Sequence, residues 1–112
     1  MSRSIPVLDS STFQTQVVDS QQPTLVDFSA SWCGPCQQLL PVLEELASDY
    51  EGRVGVVKVD LDSNQEIALR YGVQAVPTLL FFENGEVVDR LVGVHPRNDI
   101  AERLDKLARV AA

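Results

Sequence analysis

Both cysteines of this 112-residue chain lie in one short segment, Trp-Cys-Gly-Pro-Cys, as Cys33 and Cys36. This spacing suits a reversible disulfide if a helix begins at the segment, because side chains three positions apart on a helix have Cβ atoms about 5 to 6 Å apart. Pro35 favours such a helix start, since its fixed φ and missing N–H fit the first turn. The segment therefore predicts thiol–disulfide chemistry.

A helix start also treats the two sulfurs differently. Its unpaired N–H groups and the positive end of its dipole favour a thiolate at Cys33. Cys36 lies one turn further in, where we expect it to be shielded from solvent thiols. The pattern predicts Cys33 as the attacking nucleophile and Cys36 as the resolving sulfur that displaces a mixed disulfide.

The surroundings of this pair, FSASWCGPC over residues 28–36, resemble the active site of the thioredoxin family. A Val-Pro-Thr segment at residues 76–78 matches the family as well, and the resemblance runs along almost the whole chain. It implies the thioredoxin fold and a general protein-disulfide reductase that acts on protein disulfide substrates. It also implies no bound prosthetic group, and a separate thioredoxin reductase, by analogy a flavoprotein using NADPH, as the source of electrons.

Asp27 interrupts an apolar run whose neighbours suggest a strand covered on both faces. Burial raises the pKa of a carboxyl group, so Asp27 could serve as the base for the Cys36 thiol near neutral pH. The family carries a buried aspartate there and a lysine at the place of Lys58, which we expect to pair with Asp27 and oppose the rise. Pattern alone leaves an alternative role for each residue. Asp27 could be a purely structural aspartate, and Lys58 could be an exposed lysine at the end of its strand.

The resemblance further implies a substrate-binding surface around Cys33. Most X–Pro bonds are trans, but thioredoxins carry a cis proline at the place of Pro77, packed against the disulfide. The backbone before it, at Val76, would pair with the substrate segment by strand addition. The predicted surface forms a shallow apolar rim made of Trp32, Gly34, Pro35, Val76, Gly93 and Val94. From pattern alone, Gly93 is a turn residue and Trp32 a partly buried aromatic.

Two positions depart from the commonest family pattern. Gln37 stands where many members have lysine, which removes one positive charge near Cys33, and Ser29 stands where many have tryptophan. The second change leaves the predicted reaction intact. Zinc is an alternative use of two close cysteines, but a structural site needs four ligands, and the only histidine, His95, lies far along the chain.

Composition limits the possible partners. With 16 acidic and 9 basic residues the net charge is −7, which disfavours nucleic acid and anionic membranes. No apolar run approaches the roughly 18 residues that span a bilayer, and the start of the chain lacks the apolar segment of an export signal. We therefore expect one cytoplasmic, monomeric domain over residues 1–112. Two alternatives remain. The domain could be a binding module or assembly subunit whose redox activity is incidental. It could also be an oxidant or isomerase, which would use the same cysteines at a higher reduction potential.

Helical and strand-like patterns alternate along the chain in the order βαβαβαββα. The predicted strands cover residues 5–8, 24–29, 53–60, 78–83 and 86–92, and the helices 9–19, 36–50, 63–71 and 97–110. Asn84-Gly85 indicates a hairpin between the last two strands. The prediction is an α/β fold, a mixed five-stranded sheet with helices on both faces, and chemistry at the carboxyl ends of its parallel strands.

Overall fold

The computed structural model describes residues 5–111, with side chains described to residue 108, so the opening residues 1–4 lie outside the described part. The element order is the predicted one. The elements are β1 (Val7–Leu8), α1 (Ser10–Phe13) continuing as a π-helix (Gln14–Val18), β2 (Thr24–Ser29), α2 (Gly34–Asp49), β3 (Gly55–Asp60), α3 (Gln65–Arg70), β4 (Thr78–Glu83), β5 (Glu86–Val92) and α4 (Arg97–Ala111).

The strands form one mixed sheet in the order β1-β3-β2-β4-β5. β3 runs parallel to β1 and β2, whereas β4 runs antiparallel to β2 and β5. All six residues of the central strand β2 are buried, as expected for a strand covered on both faces. Ser29 is in register with Asp60, and Phe28 with Thr78. The ends of β2 and β3 and the start of β4 therefore meet at one edge of the sheet.

Each face of the sheet packs against its own helices. On one face, Leu25 of β2 lies in a cluster with apolar residues of α2 and α4, including Leu43 and Leu104. On the other face, Val26 and Phe28 pack against the first helix and α3. Because side chains alternate along a strand, the side chains two and four residues after Leu25 point to the α2 face as well.

The first helix differs from the single helix predicted over residues 9–19. Asp9 is its N-cap and exchanges hydrogen bonds with Thr12, but after Phe13 the backbone widens into a π-helix. The Thr15 hydroxyl donates to the Ser11 carbonyl at 3.1 Å, a local bond that bends helices. Phe13 and Val17 still face the core, as the sequence predicted.

The hairpin between β4 and β5 contains the two residues indicated by the sequence. Asn84 and Gly85 have φ values of 52° and 79°, so both central residues adopt the left-handed conformation of a type I′ turn. A Cβ atom on Gly85 would clash with the carbonyl oxygen of Val18. The turn thus requires glycine for its conformation and for its close contact with the first helix.

Substitution of Gly85 separates these two requirements. Gly52 has a similar φ of 84°, but a Cβ there meets no atom within 4 Å. We expect Gly52→Ala to cost about 1 to 2 kcal/mol, and Gly85→Ala about 2 to 5 kcal/mol because the backbone clash is added to the strain. Urea unfolding of the two oxidised variants measures both costs, and equal costs would contradict the close contact.

Candidate active site

Cys33 is the N-cap of α2, and Pro35 lies in the first turn of that helix. The Cys36 N–H donates to the Cys33 sulfur at 3.2 Å, so an unpaired amide at the helix start is directed at this atom. Cys33 and Cys36 form a disulfide, with their Cα atoms 5.3 Å apart. The helix start thus brings the two sulfurs together in the way that the sequence spacing predicted.

The two cysteines are covered to nearly the same extent in this disulfide form. Cys33 is 5% exposed and Cys36 is 4% exposed, and both lie in a small apolar cluster with Ala30 and Val76. The predicted difference in accessibility between the two cysteines is not seen in these fractions. Val76 partly covers the sulfur that the sequence predicted to be accessible, because the chain before β4 passes close to Cys33.

The residues before β4 and after β5 meet beside the disulfide. The Val76–Pro77 peptide bond is cis, as the family resemblance implied. The Val76 carbonyl oxygen lies 3.8 Å from the Cys33 sulfur. The Gly93 N–H donates to the Pro77 carbonyl at 2.8 Å, and the φ of Gly93 is 86°, which favours glycine. Val76 therefore lies next to Cys33, and the Gly93 segment of the predicted substrate surface is joined to it through Pro77.

The predicted rim carries exposed apolar surface. Trp32 is 67% exposed, so it is not the partly buried aromatic that pattern alone suggested, and Val94 is 54% exposed. Gly34 and Pro35 are also exposed. The indole N–H of Trp32 donates to Asp62 Oδ2 at 2.8 Å.

Asp62 is a residue that the sequence analysis missed. Its position just after β3 was an available signal, because that strand and β2 end at the same edge of the sheet. The hydrogen bond fixes the orientation of an exposed Trp32 side chain beside the disulfide. We conclude that one acidic group on the rim is engaged with the indole.

Gln37 replaces the lysine found in many family members and makes a defined contact. Its side-chain amide donates to the Ser31 carbonyl at 2.9 Å. This bond ties the first turn of α2 to the loop that leads into Cys33. A neutral donor therefore stabilises the loop, without placing a positive charge near the sulfur.

Asp27 lies in the middle of β2 on the α2 face and is only 1% exposed. Its Oδ1 atom has no hydrogen-bond partner among the described residues. Loss of hydration raises the pKa of this carboxyl to about 7, and the charge of Lys58 opposes the rise. Lys58 is in register with Asp27 on β3, but no hydrogen bond from it reaches Oδ1. The two groups are neighbours coupled through their charges, and the predicted direct pairing is not seen at this oxygen.

The described residues hold no group of three or more His, Cys, Asp and Glu side chains that could bind a metal ion. His95 lies in the loop before α4, as predicted, and its Nε2 is 2.9 Å from the Val92 carbonyl oxygen. Among the described helices, none is long and apolar enough to cross a membrane.

The sequence of this chain is similar to those of known proteins. A sequence model of the family described as Thioredoxin matches residues 4–106. The chain is 50% identical to a thioredoxin of Chlorobaculum thiosulfatiphilum over 94 residues, which cover 84% of this chain and 87% of the relative. It is 46% identical to thioredoxin 1 of Nostoc sp. over 106 residues, which cover 95% of this chain and 98% of the relative.

A thioredoxin of Staphylococcus aureus is 52% identical over 82 residues, covering 73% of this chain and 79% of the relative. The segment that the family model matches includes the cysteine pair, and the mixed sheet with helices on both faces is the architecture expected of such proteins. The chain therefore belongs to the thioredoxin family.

Proposed function

We propose that this thiol–disulfide oxidoreductase is a general protein-disulfide reductase that cycles between a Cys33–Cys36 dithiol and the disulfide. The observation that carries this proposal is the position of the disulfide at the start of α2, with Cys33 as the N-cap and Val76 beside it. A helix start stabilises an anionic sulfur, and the adjacent backbone can receive an extended substrate.

In the first step, the Cys33 thiolate attacks one sulfur of the substrate disulfide. A bond forms between Cys33 and that sulfur, while the other substrate sulfur leaves as a thiolate and takes up a proton. The amide of Cys36 already points at the Cys33 sulfur, at 3.2 Å, and would stabilise its negative charge. The product is a mixed disulfide between Cys33 and the substrate.

In the second step, Cys36 loses its proton and attacks the Cys33 sulfur. The intramolecular disulfide forms, and the second substrate sulfur leaves and is protonated, so the substrate gains two electrons and two protons in all. We propose the Asp27 carboxylate as the base that accepts the Cys36 proton. Its pKa of about 7 lets both protonation states exist near neutral pH, as a reversible proton acceptor requires. Lys58 modulates Asp27 through its charge.

The substrate surface in this proposal is the rim around Cys33. The backbone of Val76 would pair with an extended substrate segment, and the exposed side chains of Trp32 and Val94 would contact its apolar groups. The backbone of four further residues shapes this surface: Gly34, Pro35, Pro77 and Gly93. Main-chain pairing needs few specific side chains, which suits a reductase with many protein substrates.

The compartment, the oligomeric state and the source of electrons also belong to this proposal. We place the protein in the cytoplasm as a monomeric single domain over residues 1–112, reduced by a thioredoxin reductase and carrying no prosthetic group of its own. A dithiol reductant works in a compartment that keeps thiols reduced, which supports this placement. The net charge of −7 argues against nucleic-acid and membrane partners.

Replacement of Cys36 by serine tests the division of roles. We expect Cys36→Ser, reduced and mixed with insulin, to accumulate a mixed disulfide through Cys33, because the resolving sulfur is missing. Mass spectrometry of the non-reduced adduct and its peptides identifies the linked cysteine. The matched control is Cys33→Ser, which should form little adduct and, like Cys36→Ser, lose NADPH-dependent insulin reduction with candidate reductases. Equal capture by both variants would refute the assigned roles.

The second step should depend on pH through Asp27. Its rate should rise as the pH increases through about 7, since the ionised carboxylate is the base. Asp27→Asn should slow it about 100-fold. Lys58→Met should raise the midpoint of this pH dependence by on the order of one pH unit, because the charge that lowers the pKa of Asp27 is lost. Lys58→Arg keeps the charge and should leave the midpoint unchanged. Stopped-flow decay of a preformed mixed disulfide measures this step, and a midpoint unmoved in Lys58→Met would count against the coupling.

Asp27 should also make the folded protein less stable at high pH. The folded state holds the proton up to a pKa of about 7, against 3.8 for an ordinary aspartate, so it binds more protons than the unfolded state between these values. Stability from this group is therefore greatest at low pH, falls as the pH rises through this window, and is constant above it. Urea unfolding at about pH 4 and about pH 8 should show wild type losing on the order of 4 kcal/mol relative to Asp27→Asn. A constant difference between the two proteins would contradict the raised pKa.

A further inference from the structure

Ser29 is a second buried polar side chain on the α2 face of β2. It is 1% exposed, and its hydroxyl oxygen has no hydrogen-bond partner among the described residues. Two residues earlier on the strand, Asp27 Oδ1 is also buried and also lacks a hydrogen-bond partner among the described residues. Alternation along β2 places both side chains on the face that carries Leu25. Two buried oxygens without a hydrogen-bond partner among the described residues thus lie on the α2 face of β2.

A buried hydroxyl without a partner costs free energy, so this arrangement calls for a bridging group. Residues two apart on a strand have Cα atoms about 6.6 Å apart, too far for their backbones to fix a direct bond between the side chains. Two hydrogen bonds through one water span about 5 Å, a separation that oxygens on neighbouring side chains of one face can reach. A hydroxyl can accept or donate, whereas an ionised carboxylate can only accept. A water held by Ser29 would therefore donate to Asp27.

The other groups around this pair come from four elements. From β3, Lys58 is in register with Asp27 and Asp60 with Ser29, and Oδ2 of Asp60 already accepts bonds from Ser63. From β4, the residue opposite Asp27 is the apolar Leu79. The α2 side contributes the two cysteines and apolar side chains, and the buried residues of α4 on this face are apolar. Ser29 is the hydroxyl on β2 available to bind a water beside Asp27.

We propose that Ser29 is a positioning residue for proton transfer, which holds a buried water against Asp27 and thereby sets the pH at which this carboxyl accepts the Cys36 proton. The water keeps its own protons and supplies one hydrogen bond to the ionised carboxylate. Such a bond favours the charged form, so Ser29 lowers the pKa that burial has raised. This inference rests on the proposed role of Asp27. Family members with tryptophan at this position lack the hydroxyl.

Titration of Asp27 in the oxidised protein tests the inference without enzyme activity. With both cysteines in the disulfide, neither thiol titrates, so the carboxyl signal of isotope-labelled aspartate reports Asp27 directly by NMR. We expect Ser29→Ala and Ser29→Val to raise the midpoint by on the order of half to one pH unit. Ser29→Thr keeps a hydroxyl on a side chain shaped like valine and should restore the wild-type midpoint.

Thr24→Val is the matched control, because Thr24 is also buried on β2 but its hydroxyl already donates to the Gln22 carbonyl at 3.1 Å. It should leave the Asp27 midpoint unchanged, and thermal unfolding checks that every variant is folded. An unmoved or lowered midpoint in Ser29→Ala and Ser29→Val would overturn the inference, and so would equal shifts in the threonine and valine variants. In those cases the role of Asp27 stands. If wild-type Asp27 does not titrate near neutral pH, that role fails and the inference falls with it.

Discussion

The pairing of β2 with β3 on one side and β4 on the other is the constraint on which the site depends. Parallel pairing brings the end of β3 to the end of β2, and antiparallel pairing brings the start of β4 to the same edge. The Pro77 segment therefore reaches the helix start at Cys33 although some forty residues separate them in the chain. If β4 ran parallel to β2, the Pro77 segment would lie at the opposite edge of the sheet, far from the disulfide.

Polar side chains in the central strand β2 lower the stability of the fold. Asp27 and Ser29 place polar oxygens in a fully buried strand, where apolar residues would stabilise the fold more. The apolar clusters on the two faces of the sheet offset the cost, with side chains such as Leu43 and Phe82 fully covered. The protein thus keeps a proton-binding group in its most protected strand, next to the helix that carries the cysteines, and accepts lower stability at neutral pH.

Much of the architecture followed from the sequence because local signals were strong. β2, β4 and β5 cover the predicted residues, since apolar runs end at clear turn residues such as Asn84 and Gly85. The π-helix in the first helical segment was not predictable, because Phe13 and Val17 face the core equally well with either helical geometry. It is accompanied by a side-chain bond from Thr15 to the Ser11 carbonyl, which periodicity does not show.

The site was predictable where residue type decides the chemistry. Cys33, Cys36 and Asp27 could be named from spacing and from a charge in an apolar strand. The bond between Trp32 and Asp62 was not predictable, because it depends on a distance between residues that are remote in sequence. For the same reason the sequence could not show that the oxygen of Ser29 lacks a partner, nor that the two cysteines are covered alike in the disulfide form.

The distribution of charge along α2 has one more consequence. Its first turn contains no acidic residue, and the helix contains no lysine or arginine, while its acidic side chains lie in the second half. There Arg97 of α4 contacts Glu45 and Asp49, at 3.7 and 2.6 Å. Within α2, fixed peptide dipoles and no cationic side chain therefore act on the Cys33 sulfur. Dissolved ions screen exposed charge pairs far more than such internal dipoles, so we expect the reactivity of the sulfur to tolerate wide changes in ionic strength.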